Sequence, residues 1–436
     1  MILVDTALAR RHEQANPIRV AVVGAGFAGR GLALQLLTAT PGMRLVAVVN
    51  RTLSEAERAY REAGVDDVVI VNSVAQLEAA CDRGCYAITD DPRVVTEAGV
   101  VDAIIEITGE VEYGAQVVLA AIEQGKHVIL MNAELDATLG PILKCYADQA
   151  NVVFSDADGD QPGVLMNLCR QVRALGLRPV MAGNIKSLLD HRRTPETQKA
   201  WAAQHFQRPK HVTSFADGTK IAMEMATVAN ATGFRVGRRG MYGPRCSHVD
   251  EAVGLFALDE LLCGPGLVDY ILGAQPSFGV FVLAHTDQPL RQRYLKIYKM
   301  GDGPLYTFYT PYHLSPLEAP MSVARAVLFG DAALAPQGAP VCEVITVAKR
   351  NLKAGEVLDG IGGFTCYGTI DNADLCRVEN LLPMGLSEGC RLKRDLPMDA
   401  VLSFDDVELP MGRLADRLWQ EQLARFTPTR PLQIVS

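Results

Sequence analysis

The sequence has no hydrophobic run long enough to cross a membrane and no block of charge of one sign. Its apolar runs fall short of the roughly 18 residues that a transmembrane helix needs, so we expect no membrane partner. Residues 1–16 contain no long apolar segment of the secretory type, so we predict a cytoplasmic location. The formal net charge of −8 and the lack of a basic, aromatic-rich stretch argue against nucleic acid as a partner.

Cysteine is present, but it is not arranged for a cross-linked or metal-bound fold. Ten cysteines are scattered over 436 residues, and we expect them to be reduced and structural. Cys81 and Cys85 are four residues apart, but no further Cys or His stands at the spacing of zinc ligands. The length allows two or three domains, and a hydrophobic content of 49% suffices for large cores.

The most informative stretch is residues 18–31, IRVAVVGAGFAGRG, in which a short apolar run meets a glycine motif of the form GxGxxG. The first glycine permits a tight turn, the second leaves room for a pyrophosphate, and the third lets the following helix pack against the strand. The helix N-terminus adds free N–H groups and partial positive charge. A glycine turn in an unrelated α/β unit is the alternative. We predict a dinucleotide site whose pyrophosphate loop consists of Gly24, Gly26, Phe27, Ala28 and Gly29.

The end of the second predicted strand, residues 43–49, is followed by Asn50 and Arg51 instead of a carboxylate. An acidic residue at this point binds the ribose hydroxyls of NAD, whereas an arginine can pair with the 2′-phosphate of NADP. We therefore predict NADP(H) as the cofactor, with Asn50 and Arg51 among the residues that bind it. The alternative is that Arg51 is a solvated loop residue.

Strand and helix patterns alternate through residues 1–155, which predicts an α/β class fold with a doubly wound parallel sheet in a Rossmann dinucleotide-binding domain. Ligands of such sheets bind at the carboxyl ends of the strands. The residues that follow two predicted strands are therefore expected on the nicotinamide side of the cleft. These residues are Thr108, Gly109, Asn132 and Glu134.

The rest of the chain divides into two further predicted domains. Residues 156–335 are expected to form an α+β domain for substrate binding and oligomerisation. Within it, residues 210–215 resemble a strand, the Asp-Gly pair at 217–218 signals a hairpin turn, and the helical pattern at 321–328 is expected to pack back onto the first domain. Residues 336–436 have short strand patterns, glycine turns and few helices, and predict a small β-rich domain.

Four residues are candidates for catalysis, since hydride transfer needs a proton donor or acceptor at the substrate oxygen. Lys186 is the first candidate, because it follows a predicted Gly-Asn turn in an apolar stretch where burial lowers the pKa of an amine. Lys220 could bind an anionic group such as phosphate. Asp160 could orient a hydroxyl or cap a helix, and His313 could shuttle a proton or be structural. For both lysines, the alternative is a solvated surface position.

Three further residues are candidates for substrate binding. Glu224 follows Lys220 at the spacing of strand alternation or of one helical turn. Asn230 and Thr232 are polar groups in an otherwise apolar run, and they either line the substrate pocket or close a helix end.

Taken together, these stretches resemble the homoserine-dehydrogenase-like oxidoreductases that carry a C-terminal SAF (β-clip) domain. The SAF resemblance lies in residues 348–358, AKRNLKAGEVL, and 382–386, LPMGL. Within this family, the chain is most similar to the reductoisomerase-like members that act on 1-deoxy-D-xylulose 5-phosphate. The stretches that carry this similarity are residues 104–109, 131–134, 159–162, 215–233, 240–244 and 303–328.

The resemblance implies a homo-oligomer and a lysine in the proton-transfer role, which would be Lys186 here. The chain departs from the reductoisomerase-like pattern at one point. Two lysines are expected after the Ala-Gly pair at 182–183, whereas this chain has Lys186 alone, followed by apolar residues. The resemblance also leaves open a divalent metal, for which the carboxylates at hand are Asp158, Asp160 and Glu224.

We expect an NADP-dependent oxidoreductase that acts on the CH–OH group of a small polyhydroxylated or phosphorylated carbonyl compound, with reductoisomerase-like chemistry as one form. One alternative is reduction of the homoserine or semialdehyde type, with the same fold and lysine. The other alternative is a regulatory protein that binds NADP and a sugar without turnover. The sequence leaves the substrate and the direction of hydride transfer open.

Overall fold

A computed structural model describes residues 3–426, and its first part is built on a seven-stranded parallel sheet. The strand order is β3-β4-β2-β1-β5-β6-β7, and every pairing is parallel. This sheet confirms the predicted α/β class. The strands are β1 (Ile18–Val23), β2 (Met43–Val49), β3 (Val68–Ile70), β4 (Tyr86–Thr89), β5 (Ala103–Glu106), β6 (His127–Leu130) and β7 (Phe154–Asp156).

The chain runs outward from β1 to one edge of the sheet and then returns to β5 on the other side of β1. This reversal of strand order opens a crevice at the carboxyl ends of β1 and β5, where ligands of doubly wound sheets bind. The helices that connect the strands are α1 (Val4–Glu13), α2 (Phe27–Thr38), α3 (Leu53–Glu62), α4 (Val74–Asp82), α5 (Arg93–Thr96), α6 (Val111–Glu123) and α7 (Ala133–Gln149).

The glycine motif forms the turn between β1 and α2, as the spacing predicts. Gly24 has a φ of +117°, which side chains other than glycine rarely adopt. A Cβ atom at Gly29 would lie 2.1 Å from the Gly24 carbonyl oxygen, so only glycine lets α2 approach the turn this closely. A Cβ atom at Gly26, by contrast, would have no neighbouring atom within 4 Å, because Gly26 faces the crevice.

We predict that Gly29→Ala lowers the free energy of unfolding by about 1–3 kcal/mol, because the new methyl group collides with backbone and α2 must shift. Gly26→Ala is the matched control. Its Cβ enters open space, and its cost is limited to replacing glycine at a helix N-cap. Urea unfolding of the two variants measures the difference. Equal stabilities would contradict the close approach of α2 to the turn.

The second part of the chain is built on a four-stranded mixed sheet in the order β11-β10-β8-β9. β8 pairs parallel with β9 and antiparallel with β10. The strands are β8 (Arg178–Lys186), β9 (Leu267–Leu272), β10 (Val280–His285) and β11 (Leu305–Thr310). The helices are α8 (Gln161–Ala174), α9 (Pro195–Gln204), α10 (Pro209–Asp217), α11 (Thr219–Thr232), α12 (Leu258–Cys263), α13 (Pro289–Ile297) and α14 (Ser315–Phe329), with a 3-10 helix at Val249–Gly254.

Three local predictions in this part are wrong. Residues 210–215 lie in α10 and not in a strand, because six residues are too few to separate a period of 2 from one of 3.6. The Asp-Gly pair at 217–218 joins α10 to α11 instead of two strands, and Gly218 adopts a left-handed φ of +93°. Lys220 therefore lies in the first turn of a buried helix. Likewise, the Gly-Asn pair before Lys186 continues β8 and forms no turn.

α14 returns to the first part of the chain. Ala319, Val323 and Ala324 belong to the same hydrophobic core as Leu32 and Leu36 of α2. The two large sheets are thus connected through a shared apolar contact as well as through the chain itself.

The last part contains two small antiparallel sheets and two helices. Its elements are β12 (Cys342–Ala348), β13 (Cys366–Asn372), α15 (Ala373–Val378), β14 (Arg391–Leu392), β15 (Val407–Glu408) and α16 (Leu414–Phe426), with 3-10 helices at Met384–Leu386 and Phe404–Asp406. The 13 residues of α16 depart from the expected β-rich pattern. α16 packs on α7, where the Gln422 side-chain oxygen accepts a hydrogen bond of 3.1 Å from the Ile142 N–H.

All ten cysteines are free thiols. Among residues 3–426, no helix combines the length and the apolar character that a bilayer span requires.

Candidate active site

The carboxyl ends of β1 and β5 lie side by side, as the strand order requires. A Cβ atom at Gly24 would lie 3.0 Å from the Ile107 carbonyl oxygen, so the loop after β5 touches the glycine turn. Thr108 and Gly109 follow directly in that loop, and Gly109 has a φ of +72°. These predicted cofactor residues therefore share one crevice with the glycine motif.

Glu106, the last residue of β5, holds this loop through hydrogen bonds to Thr108. Its buried carboxylate accepts hydrogen bonds from the Thr108 N–H at 2.9 Å, from the Thr108 hydroxyl, and from the Asn132 amide at 2.7 Å. Burial raises the pKa of Glu106 to about 7, and these hydrogen bonds oppose the rise. Sequence reasoning missed Glu106 because it lies in an apolar strand pattern. Its position at the strand end was the one available signal.

Asn132 does not face the cleft as predicted, because its side chain is fully buried and its oxygen and its amide group both form hydrogen bonds within the protein. Its oxygen accepts from the Leu135 N–H at 3.1 Å and so caps α7. Its amide group donates to Glu106 and, at 3.2 Å, to the Glu110 carbonyl oxygen. Asn132 therefore holds the ends of β5 and β6 together and leaves no polar atom for a cofactor.

Glu134 and Lys220 form an ion pair of 2.9 Å between α7 and α11. The two side chains are only 3% and 7% exposed. Burial alone would lower the pKa of Lys220, but Glu134, Asp160 and Glu224 outweigh it and raise that pKa above its ordinary value. Lys220 therefore stays cationic, and the Glu134 carboxylate is engaged by this lysine.

Lys186 ends β8 and lies half-buried beside this pair. Burial lowers the pKa of its amine, while Glu224 and Asp217 oppose the shift. Its Nζ atom lies 5.9 Å from the centre of the Phe215 ring. Glu224, one turn after Lys220 on α11, is 5% exposed, and burial raises its pKa to about 7. Lys220 is therefore held in its charged form, whereas Lys186 loses its proton more readily than an ordinary lysine.

Asp160 and His313 complete the group. Asp160 occupies the N-cap position of α8, but its side chain makes no capping bond and instead accepts 3.1 Å from the Ser315 hydroxyl. The His313 ring packs 4.2 Å from the Phe278 ring. Burial lowers the pKa of His313, Asp160 opposes this, and Lys186 and Lys220 add to it. The structure thus brings together all four predicted catalytic residues.

His211 is a member of this group that sequence reasoning missed. It lies on α10 one turn before Phe215, and the two rings meet edge-on at 4.9 Å. Burial lowers its pKa, and Lys220 lowers it further. In a strand, residues 211 and 215 would share a face but lie about 13 Å apart, so the wrong secondary structure hid the contact between their rings. A helical interpretation would have revealed it.

Asn230 and Thr232, predicted to bind substrate or to close a helix end, lie at the far end of α11, about 15 Å along the axis from Lys220. The Asn230 oxygen accepts from the Val341 N–H at 2.7 Å and from the Cys342 N–H at 3.1 Å. The Thr232 hydroxyl donates to the Val228 carbonyl oxygen at 2.7 Å. The Asn230 contacts therefore join α11 to the start of β12, whereas the Thr232 hydroxyl also accepts 3.2 Å from the Phe234 N–H at the end of the helix.

The three carboxylates that could have held a metal do not form one site. Asp158 pairs with Arg325 at 3.0 Å and accepts a hydrogen bond of the same length from the Ser322 hydroxyl. It thus fastens α14, while Asp160 and Glu224 lie near Lys220. Over residues 3–426, no group of three His, Cys, Asp or Glu side chains has an arrangement that could bind a metal ion.

Asn50 and Arg51 differ in what their side chains do. The Asn50 oxygen accepts from the Ala25 N–H at 3.2 Å, and its amide donates to the Thr52 carbonyl oxygen at 2.9 Å, so Asn50 braces the glycine turn. Arg51 is exposed, and within the described part of the chain it has no hydrogen bond or ion pair. Its guanidinium group is therefore available to a ligand.

Two family models match this chain, and both describe oxidoreductases. Residues 18–130 match the oxidoreductase family with an NAD-binding Rossmann fold (GFO/IDH/MocA). Residues 159–319 match the catalytic domain of oxidoreductase DRL. Each match covers less than half of the chain, and both agree with an NAD(P)-dependent oxidoreductase. The first match contains the glycine motif, Arg51 and Thr108. The second contains Asp160, Lys186, Lys220, Glu224 and His313.

Individual relatives are similar to the chain over shorter stretches. A homoserine dehydrogenase of Pseudomonas aeruginosa is 28% identical over 32% of this chain and 29% of its own length. A shikimate dehydrogenase (NADP(+)) of Psychrobacter arcticus is 39% identical over 15% of this chain and 22% of its own length. The chain thus spans less than a third of these curated relatives. A probable dehydrogenase from Thermotoga maritima is 15% identical, covers 74% of this chain and 91% of its own, and has a TM-score of 0.40.

We predict that Lys220→Met or Glu134→Gln alone lowers the free energy of unfolding by about 3–5 kcal/mol at pH 8, because each leaves a buried partner uncompensated. The double variant should lose less than the sum of the two single variants. Urea unfolding measures all three.

Lys296→Met is the control, since Lys296 forms an exposed ion pair with Asp302 at 2.8 Å and its loss should leave stability almost unchanged. A Lys220→Met variant as stable as this control would contradict the burial of the Glu134–Lys220 pair.

Proposed function

We propose that this protein is an NADP-dependent oxidoreductase whose substrate is a small polyhydroxylated or phosphorylated carbonyl compound. The observation that carries the proposal is the buried Glu134–Lys220 pair near the carboxyl end of β6, with buried Glu224 and half-buried Lys186 beside it. It combines a charged amine (Lys220), an amine of lowered pKa (Lys186) and a carboxyl with a pKa of about 7 (Glu224), which is the composition needed to bind and protonate an oxygen atom.

The crevice fits a nicotinamide dinucleotide. Gly26 leaves the space in front of the α2 N-terminus empty, so the pyrophosphate can approach the free N–H groups there. Thr108 and Gly109 lie on the opposite wall of the crevice, where the nicotinamide end would rest. When bound, such a cofactor supplies the hydride donor or acceptor of the reaction.

NADP is proposed over NAD because of the residues after β2. No carboxylate stands there, and Arg51 has no hydrogen-bond or ion-pair partner within residues 3–426. A guanidinium group binds a phosphate through two parallel hydrogen bonds, so Arg51 can hold a 2′-phosphate. The name of the shikimate dehydrogenase relative specifies NADP(+), which agrees with this choice.

The remaining roles follow from charge. Lys220, kept cationic by Glu134, would bind a carbonyl oxygen or an anionic group of the substrate. Lys186 would give a proton to the substrate oxygen or take one from it, because its lowered pKa makes this transfer easier near neutral pH. Glu224, with a pKa of about 7, is close enough to interact with both lysines and would exchange protons with Lys186.

We propose no metal-dependent step, since Asp158 is engaged by Arg325 and the expected trio of carboxylates does not form. Reductoisomerase-like chemistry therefore stays one form of the proposal, and the homoserine or semialdehyde type stays the alternative. A homo-oligomer, a cytoplasmic location, an SAF-type C-terminal domain, and domain boundaries near residues 155 and 335 are proposed with it.

We predict that Arg51→Ala weakens NADP(H) binding about tenfold or more, because charge-assisted hydrogen bonds to the 2′-phosphate are lost, and leaves NAD(H) binding almost unchanged. Isothermal titration with both nucleotides measures this. Arg83→Ala is the control, since Arg83 is likewise exposed but follows α4 away from the crevice. Tighter binding of NAD than of NADP by the unmodified protein would refute the NADP assignment.

We predict that NADPH absorbance at the nicotinamide band falls with at least one member of a panel of sugar phosphates, polyols in their keto form and amino-acid semialdehydes. Lys186→Met should reduce kcat by at least about a hundredfold while the affinity for NADPH stays the same, because the proton-transfer group is lost. Tight NADPH binding without turnover on any compound would instead favour the non-catalytic, regulatory alternative.

A further inference from the structure

Lys349 is the first residue after β12, and its buried side chain contacts Arg193 and Asp217 of the second part of the chain. Its ammonium group lies 2.9 Å from an Asp217 carboxylate oxygen, 2.9 Å from the Arg193 carbonyl oxygen and 2.7 Å from the Gly363 carbonyl oxygen. These three acceptors use all three of its N–H donors. The side chains of Lys349 and Asp217 are 2% and 0% exposed, so this is a fully buried ion pair.

Asp217 is the last residue of α10 and it organises the start of α11. Its second carboxylate oxygen accepts 2.9 Å from the Thr219 N–H, and its carbonyl oxygen accepts 2.6 Å from the Nδ1–H of His191. The Thr219 hydroxyl in turn accepts 2.8 Å from the Gly368 N–H of β13. The region of β12 and β13 therefore contacts the junction of α10 and α11 twice, through Lys349 with Asp217 and through Gly368 with Thr219.

This junction carries the groups that surround Lys186. Phe215 precedes it on α10, and Lys220 and Glu224 follow it on α11. The charged and titratable groups that act on the Lys186 amine are Asp217, Lys220 and Glu224, and Lys186 in turn acts on His313. A displacement of the junction would change all of these contacts together.

We propose that Lys349 is a positioning residue of the active site, which holds Asp217 and through it the α10–α11 junction that arranges Lys186, Lys220 and Glu224. The inference rests on the proposed function. It assigns a role to the C-terminal part of the chain, which lies outside both matched oxidoreductase segments. Because a buried ion pair often adds little net stability over apolar residues, we assign this pair the role of fixing one geometry.

The proposal makes an electrostatic prediction that a merely structural role does not share. Asp217 stabilises the charged form of Lys186, and Lys349 neutralises Asp217. Asp217→Asn should therefore lower the pKa of Lys186 further. Lys349→Met leaves Asp217 unneutralised in the alkaline range where Lys186 titrates, and should raise that pKa. General loosening of the site would expose Lys186 to water and raise its pKa in both variants.

The experiment is pH-dependent trace labelling of lysines with acetic anhydride in the full chain, with Lys186 quantified by peptide mass spectrometry. The variants are Asp217→Asn, Lys349→Met and, as matched control, Lys353→Met. Lys353 lies in the same C-terminal part but forms an exposed pair with Asp395 at 2.7 Å. Thermal unfolding of each variant checks that it is folded.

We expect the Lys186 midpoint to fall by about 0.5 pH unit or more in Asp217→Asn, to rise by a similar amount in Lys349→Met, and to stay unchanged in Lys353→Met. A rise in both test variants, or no change in either, overturns the proposal. Asp217→Asn preserves shape, so a Lys186 midpoint that rises or stays unchanged in this variant alone overturns the proposal even if Lys349→Met does not fold. Since the labelling needs neither substrate nor cofactor, its failure is distinguishable from a failure of the proposed enzyme activity.

Discussion

The ion pair between Glu134 and Lys220 is the contact on which the arrangement of the site depends. It joins α7, which follows the parallel sheet, to α11, which packs on the second sheet, and both side chains are almost fully buried. A charge can remain there only if its partner is in place, so the pair fixes the distance between α7 and α11. Lys186, Glu224 and Asp160 then take their properties from the resulting field.

Around this pair, burial shifts the pKa values of carboxyl groups and amines in opposite directions. It raises the pKa of Glu224 and lowers that of Lys186, which brings both towards neutrality. Lys220 escapes this effect because three carboxylates surround it. A second buried ion pair, between Lys349 and Asp217, connects the C-terminal strand pair to the same region. Two neighbouring lysines thus have pKa values shifted in opposite directions, lowered for Lys186 and raised for Lys220.

The sequence predicted the parts of the fold that local patterns determine. The GxGxxG spacing predicted the turn, because only glycine satisfies the contacts at Gly24 and Gly29. The sequence also supplied Lys186, Lys220, Asp160 and His313 as candidates. It failed where the answer depends on tertiary contacts: α10 resembled a strand over six residues, so His211 was missed. Asn132 and Glu134 follow β6 as predicted, but their partners, Glu106 and Lys220, come from distant positions that no spacing rule reveals.

A crystal structure of the protein with NADP⁺ would show whether the crevice binds a nicotinamide dinucleotide beside the two lysines. The account predicts the pyrophosphate on the α2 N-terminus, the 2′-phosphate at Arg51, and the nicotinamide ring facing Lys186 and Lys220 with room for one small substrate between them. An empty crevice at a saturating concentration of the nucleotide, or a nicotinamide ring directed away from these lysines, would contradict it.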